Sequence, residues 1–158
     1  MPKIALIHPE IPPNTGNIAR TCAATATELH LVEPLGFELS DRYLKRAGLD
    51  YWPHVNLQVH PCLESFCQYR HSMGGRLIGF TAKSTYSYIE IKYKEDDWLL
   101  FGSESQGLPK EMLEACDYRA KIPMPHSSVR SLNLSVCAAV GLFEALRQTG
   151  HLASSPEP

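Results

Sequence analysis

The stretch WLLFGSESQGLP, residues 98–109, reads as a buried strand that runs into a polar loop bounded by two glycines, then a proline suited to the first turn of a helix. Four apolar residues in succession, without polar alternation, are what a strand covered on both faces requires. The same pattern recurs on either side. Residues 3–8 (KIALIH), 29–33 (LHLVE), 77–82 and 119–122 read as further strands, and VNLQVH at 55–60 alternates as a strand does. Helices are expected over 16–28, capped by Asn14 or Thr15; from Ser40 or Asp41 through Ala47, ended by Gly48; over 62–73, closed by Gly74 and Gly75; and over 109–116. A terminal helix is expected to bury the stripe Leu132, Val136, Ala139, Val140, Phe143 and Leu146, with Gly141 against a close packing partner. Strands alternating with helices, without hairpin signals, predict an α/β fold: a mainly parallel sheet with helices on both faces.

The chain has 158 residues, the length of one domain, expected to occupy residues 1–150 with a frayed tail at 151–158. Its 44% hydrophobic and 20% charged residues exclude a disordered chain. A net charge of −2 excludes a uniformly basic nucleic-acid binder, so an RNA partner would need a local basic patch. The five cysteines are odd in number and show no C-x-x-C spacing, which predicts free thiols in a reducing compartment. Cys67 and His71 lie one helical turn apart but lack a third ligand, so no metal is expected. The apolar run at the amino terminus is too short for a signal peptide or a membrane span, and the expected location is cytoplasmic, away from membranes.

In a parallel sheet, ligands bind beyond the carboxyl ends of strands, which directs attention to three loops. Loop one, residues 9–20 (PEIPPNTGNIAR), offers a tight turn at Gly16 and a helix start able to receive an anion, with Arg20 expected about one turn into the helix. In loop two, residues 101–109, Gly102 and Gly107 begin like a phosphate loop, but the Lys-Ser/Thr pair is missing and a triphosphate site is disfavoured. Gly102 still permits a flat ligand to approach the backbone, and Glu104 can accept from a ligand or cap the helix that follows. Loop three, residues 122–135 (IPMPHSSVRSLNLS), places Ser131 and Asn133 at a helix start, where capping is one reading. Arg130 there opposes the helix dipole, a conflict an anionic partner would remove. Ser103, Ser105 and His126 lack the G-x-S-x-G elbow of a hydrolase, and no G-x-G-x-x-G follows a strand.

Taken in order, NTGNIAR, LLFGSESQGLP, and IPM followed by RSLNLS resemble the three motifs of SPOUT-superfamily methyltransferases. IPPNTGNIAR, RAGLDYW at 46–52 and EALRQ at 144–148 narrow the resemblance to the TrmL/YibK-like tRNA wobble 2′-O-methyltransferases, over residues 4–150. The resemblance implies a sheet whose carboxyl-terminal segment forms a deep trefoil knot, a rare exception to ordinary topology. It implies S-adenosylmethionine as cofactor, held by Phe80, Gly102, Glu104, Ile122, Ser131 and Leu132, with S-adenosylhomocysteine as product and no metal. It implies an obligate homodimer acting on the tRNA anticodon stem-loop, each site completed by the partner. Arg20, Ser131 and Asn133 are the implied catalytic residues. For RNA contact the basic candidates are Arg20, Arg42, Lys45, Arg46 and Arg130, with a solvated helix face the plainer reading of the middle three. One departure stands out: the family's usual NLSN is NLSV here, with Val136 in place of the asparagine. Rival readings are a 2′-O-methyltransferase for another tRNA position or for rRNA, a non-catalytic RNA-binding protein of the same fold, and a small flavin or nucleotide-binding regulator.

Overall fold

The computed structural model describes residues 1–40 and 50–153. Among them, β1 (Lys3–Ile7), β2 (Leu29–Val32), β3 (Leu57–His60), β4 (Leu77–Phe80), β5 (Trp98–Phe101) and β6 (Tyr118–Ala120) form one sheet in the order β3-β2-β1-β5-β4-β6. Every neighbouring pair is parallel. The order differs from the 2-1-3-4-5 of flavodoxin-like sheets, because β5 rather than β3 lies beside β1, and β3 sits at the edge beyond β2. Helices α1 (Pro12–Thr25), α2 (Leu63–Met73), α3 (Lys110–Ala115) and α4 (Leu134–Gln148) cover the two faces. The helix expected through Ala47, with Arg42, Lys45 and Arg46, lies outside the described residues.

The two-residue period of a strand divides the core. Ile4 and Leu6 of β1 pack with Ile18 and Cys22 of α1 and with Ala138, Leu142 and Ala145 of α4. Ala5 and Ile7 point the other way, into a cluster with Phe66 of α2, Trp98 of β5 and Met112 of α3. Burial on both faces is why β1 from Ile4 onward, β4 and β5 carry unbroken apolar runs, and why β2 is interrupted only by the buried His30, while the edge strand β6 carries no such run. On the α2 side, His30 and His60 stack within the core, with 3.0 Å between His30 Nδ1 and His60 Nε2. Burial lowers the His30 pKa to about 4, and that of His60 falls for the same reason.

Two helices depart from expectation. α1 begins at Pro12, four residues before the expected start, because Pro12 and Pro13 have no N–H to leave orphaned in a first turn. Asn14 and Thr15 are therefore buried inside the helix and do not cap it. The start of α4 agrees with one of the expected caps, Asn133, but its buried face is Ala138, Gly141, Leu142, Ala145 and Leu146. Val136 and Phe143, from the predicted stripe, are 47% and 44% exposed. Small residues set this orientation. A Cβ on Gly141 would lie 2.6 Å from Cζ of Phe80, so the ring is the close partner that the glycine admits. The helix is apolar on both sides, and Val136 and Phe143 are left uncovered by the described residues.

Candidate functional site

The carboxyl ends of β4, β5 and β6 open onto a cavity of about 640 Å³, walled by residues 80–83, 101–108 and parts of 120–134. That volume lies within the range of small-molecule sites. Phe80, Gly102, Glu104, Ile122, Ser131 and Leu132, picked from separate motifs, all line it. Asn133 and Arg130 line it too. The turns around Gly102 and around Ser131 therefore meet in one place.

Local chemistry explains each wall. Phe80 ends β4 and stacks on Phe101 at the end of β5, with ring centroids 4.7 Å apart and planes 22° apart. Gly141 fixes its other side. At Gly102 a Cβ would fall 1.9 Å from the Gly107 carbonyl carbon and 2.1 Å from Leu108 N. Loop two thus folds back over Gly102, closed by Ser103 N–H donating to Gly107 O (3.3 Å) and Gly107 N–H to Ser103 O (2.9 Å). Gly107 takes φ +70°, a conformation glycine adopts without strain. The glycine expected to admit a ligand is required first by the loop's own backbone.

Glu104 caps neither its own loop nor the following helix. Its carboxylate reaches loop one, accepting from Glu10 N–H (3.0 Å), Ile11 N–H (2.6 Å) and Asn14 Nδ2 (3.3 Å) just ahead of α1 and in its first turn. Glu10 answers in the other direction: its carboxylate accepts from the Ser105 hydroxyl (2.6 Å) and Ser105 N–H (3.3 Å). The serine hydroxyl holds the Glu10 carboxyl below the usual carboxylate range. Asn14 extends the chain of contacts, since its Oδ1 accepts from Asn133 Nδ2 (2.9 Å). Asn133 Oδ1 in turn accepts from Ser135 N–H (2.8 Å) and caps α4. Glu104, Asn14 and Asn133 thus join all three loops. Asn14 entered the sequence reading only as a helix cap, and nothing local to it revealed the link.

Arg20 is not at the cavity. The earlier start of α1 places it two turns into the helix, about 12 Å along the axis from Pro12. It is exposed, and its guanidinium lies 5.9 Å from the centroid of the Tyr51 ring. Tyr51, from the RAGLDYW stretch, donates its hydroxyl to Gly16 O (3.0 Å), which ties that segment to α1. Ser131 is exposed at the rim, and its side chain has no hydrogen-bond partner among the described residues. Lys83 and Lys121 also line the cavity and were not foreseen. Lys121 directly follows β6 and Lys83 lies three residues beyond β4, so the carboxyl-end rule applied to these strands would have found them. A second cavity of about 690 Å³ lies on the far side of loop two, bordered by His8, Glu10, Leu35 and Lys110. Ser105 bonds Glu10 and His126 receives Ser128 N–H, so neither forms a hydrolase triad. Among the described residues, no group of three or more His, Cys, Asp or Glu side chains is placed to hold a metal, and no helix is long and apolar enough to cross a membrane.

The model of the SpoU rRNA Methylase family matches residues 1–143. A relative from Methylovorus glucosotrophus (strain SIP3-4), named tRNA (cytidine(34)-2′-O)-methyltransferase, is 49% identical over 147 residues, covering 92% of this chain and 94% of its own. A solved structure reported with structural insights into the 2-OH methylation of C/U34 on tRNA is similar at a TM-score of 0.89 and 50% identity, over 94% of this chain and 95% of that one. An AdoMet-bound rRNA methyltransferase from Sinorhizobium meliloti is similar at a TM-score of 0.83 and 28% identity, over 97% of this chain and 57% of that one.

Proposed function

This chain belongs to the SpoU rRNA methylase family, and on that premise we propose that it is an S-adenosylmethionine-dependent methyltransferase acting on the ribose 2′-hydroxyl of the wobble nucleotide, position 34, of tRNA, whether cytidine or modified uridine. The observation that carries the reading is the single cavity where the turns at Gly102 and Ser131 meet.

The residues present suit the cofactor. Phe80, Ile122 and Leu132 offer apolar surface to the adenine ring, and the strand-end backbone around Gly102 offers polar groups beside it. When bound, S-adenosylmethionine supplies an electrophilic methyl carbon on its sulfonium. Ser131 orients the ribose at the rim, Asn133 holds the third loop against Asn14, and Glu104 fixes the first loop against the second. Holding the hydroxyl in line with the methyl group accounts for much of the acceleration. A guanidinium presents donors and no acceptor, so Arg20 stabilises the developing oxyanion or grips a phosphate and does not act as the base.

Because Arg20 stands away from its own cavity, the site is proposed to be completed in a homodimer, where a second copy brings its Arg20 to this chain's cavity. The uncovered apolar side of α4, with Val136 and Phe143, supports such an interface. It also gives the family departure at Val136 a physical role. The domain spans residues 1–150, and the carboxyl-terminal segment is proposed to thread as the family's knot: residues 122–134 return from the β6 edge to the ends of β4 and β5. The anticodon stem-loop is taken to lie over Arg20, Arg42, Lys45, Arg46 and Arg130.

The test is transfer of labelled methyl from S-adenosylmethionine to unmodified tRNA, followed by nuclease mapping. Label on the ribose of position 34 is expected, and Arg20→Ala should abolish transfer while cofactor binding survives. Label at another tRNA position, or in rRNA only, would overturn the wobble assignment.

A further inference from the structure

Three cations line the mouth of the cavity: Lys83 beyond β4, Lys121 beyond β6 and Arg130 in loop three. None forms an ion pair among the described residues. Among the described residues the only acid in the same lining is Glu104, and both its oxygens are occupied by loop one. In a chain of net charge −2 this local excess of positive charge needs an explanation. The cofactor does not supply one. S-adenosylmethionine carries two positive groups, its sulfonium and its ammonium, against one carboxylate, so its net charge does not call for a cluster of cations.

Hydrogen bonds tie the segment that carries Lys83 and the exposed Tyr86 to the end of β6 at Lys121. Lys121 N–H donates to Tyr86 O (2.8 Å), and Tyr88 N–H donates to Lys121 O (2.8 Å). The Ser84 hydroxyl donates to Arg119 O (2.6 Å), which anchors the segment following Lys83 to β6. Tyr86 is held there, 58% exposed. A phenol left that open on an anchored segment buries little apolar surface in the fold, but it offers a face on which a nucleobase can stack.

We infer that Lys83, Lys121 and Arg130 form a phosphate-binding rim for the RNA backbone beside the target nucleotide, with Tyr86 as the stacking platform for a neighbouring unpaired base. This inference rests on the tRNA substrate proposed above and adds Lys83, Lys121 and Tyr86 to its contacts. Lysine contacts to phosphate set affinity and salt dependence without reading sequence, and stacking tolerates any base. Such a rim grips a single-stranded loop and leaves base choice to other residues.

The experiment measures binding of unmodified tRNA by fluorescence anisotropy across a salt series, for wild type, Lys83→Gln, Lys121→Gln, Tyr86→Ala and Tyr86→Phe. Binding of S-adenosylmethionine is titrated in parallel by calorimetry. Each lysine variant should lower the slope of log affinity against log salt by about 0.7–0.9, the loss of one phosphate contact. Tyr86→Ala should weaken tRNA binding about ten-fold, with Phe restoring it, and cofactor affinity should stay within about two-fold of wild type. Unchanged slopes, or a fall in cofactor affinity with tRNA binding intact, would assign the cations to the cofactor and overturn the inference. A wild-type protein that binds tRNA but places no methyl on it would refute the proposed activity, while lowered slopes would leave the rim standing.

Discussion

Replacing Glu104 with glutamine changes one atom and tests whether the three loops are held as a unit. In the native protein Oε1 accepts from Glu10 N–H at 3.0 Å, while Oε2 accepts from Ile11 N–H at 2.6 Å and Asn14 Nδ2 at 3.3 Å. Glutamine keeps one acceptor and turns an amide NH₂ toward the other position, so either orientation sets a donor against a donor. Hydrogen bonds to a charged group contribute ~1.5–3 kcal/mol, and the negative charge near the start of α1 adds ~0.5 kcal/mol. Because Glu104 is only half-buried, a net loss of about 2 kcal/mol is expected. For a chain of this size that lowers Tm by about 4–8 °C. The same change frees Asn14 and, through it, Asn133 at the cavity wall. Cofactor affinity should drop about ten-fold, equivalent to ~1.4 kcal/mol of wall ordering. Thermal melting and calorimetric titration with S-adenosylhomocysteine read both effects. A variant that melts within about 1 °C of wild type and binds as tightly would refute the reasoning.

Gly141→Ala should lower Tm by about 3–6 °C despite better helix propensity, because the added carbon meets Phe80 Cζ at 2.6 Å and the ring is already backed by Phe101; an unchanged melt would show that the ring can retreat. The His30 pKa is depressed to about 4 from an ordinary 6.5, so its neutral form contributes stability that is complete above pH 6.5 and is lost as pH falls toward 4. Stability should therefore drop by ~2–3 kcal/mol across that interval relative to His30→Gln, and a gap in Tm that stays constant from pH 7 to pH 4 would contradict it. Phe143→Asp and Val136→Asp, at positions 44% and 47% exposed in this chain, should shift the protein from dimer to monomer in sedimentation experiments, and dimers that persist at micromolar concentration would remove α4 from the interface.

The sheet was legible because unbroken apolar runs such as 98–101 have few other uses in a chain of this length. Helix boundaries were less so. Pro12 and Pro13 marked the start of α1 locally, but the partner of the N–H groups ahead of it is Glu104, some 90 positions away in sequence. No local signal reports such a contact. The face of α4 was misread because the expected stripe joins the exposed Val136 and Phe143 to the buried Leu146, and a single chain does not reveal what covers a second apolar side. The residues of the cavity were named from motif order, and the structure brings all six to one cavity. The polar thread from Glu104 through Asn14 to Asn133, and the cations Lys83 and Lys121, emerged only when distant strand ends were placed side by side.

Crystals grown with S-adenosylhomocysteine offer the most direct measurement. Density for the product is predicted between the turns at Gly102 and Ser131, against Phe80 and Leu132. Density in the second cavity beside His8 and Lys110 instead, or failure of the protein to bind the product at all, would contradict the assignment of the methyl donor to this site.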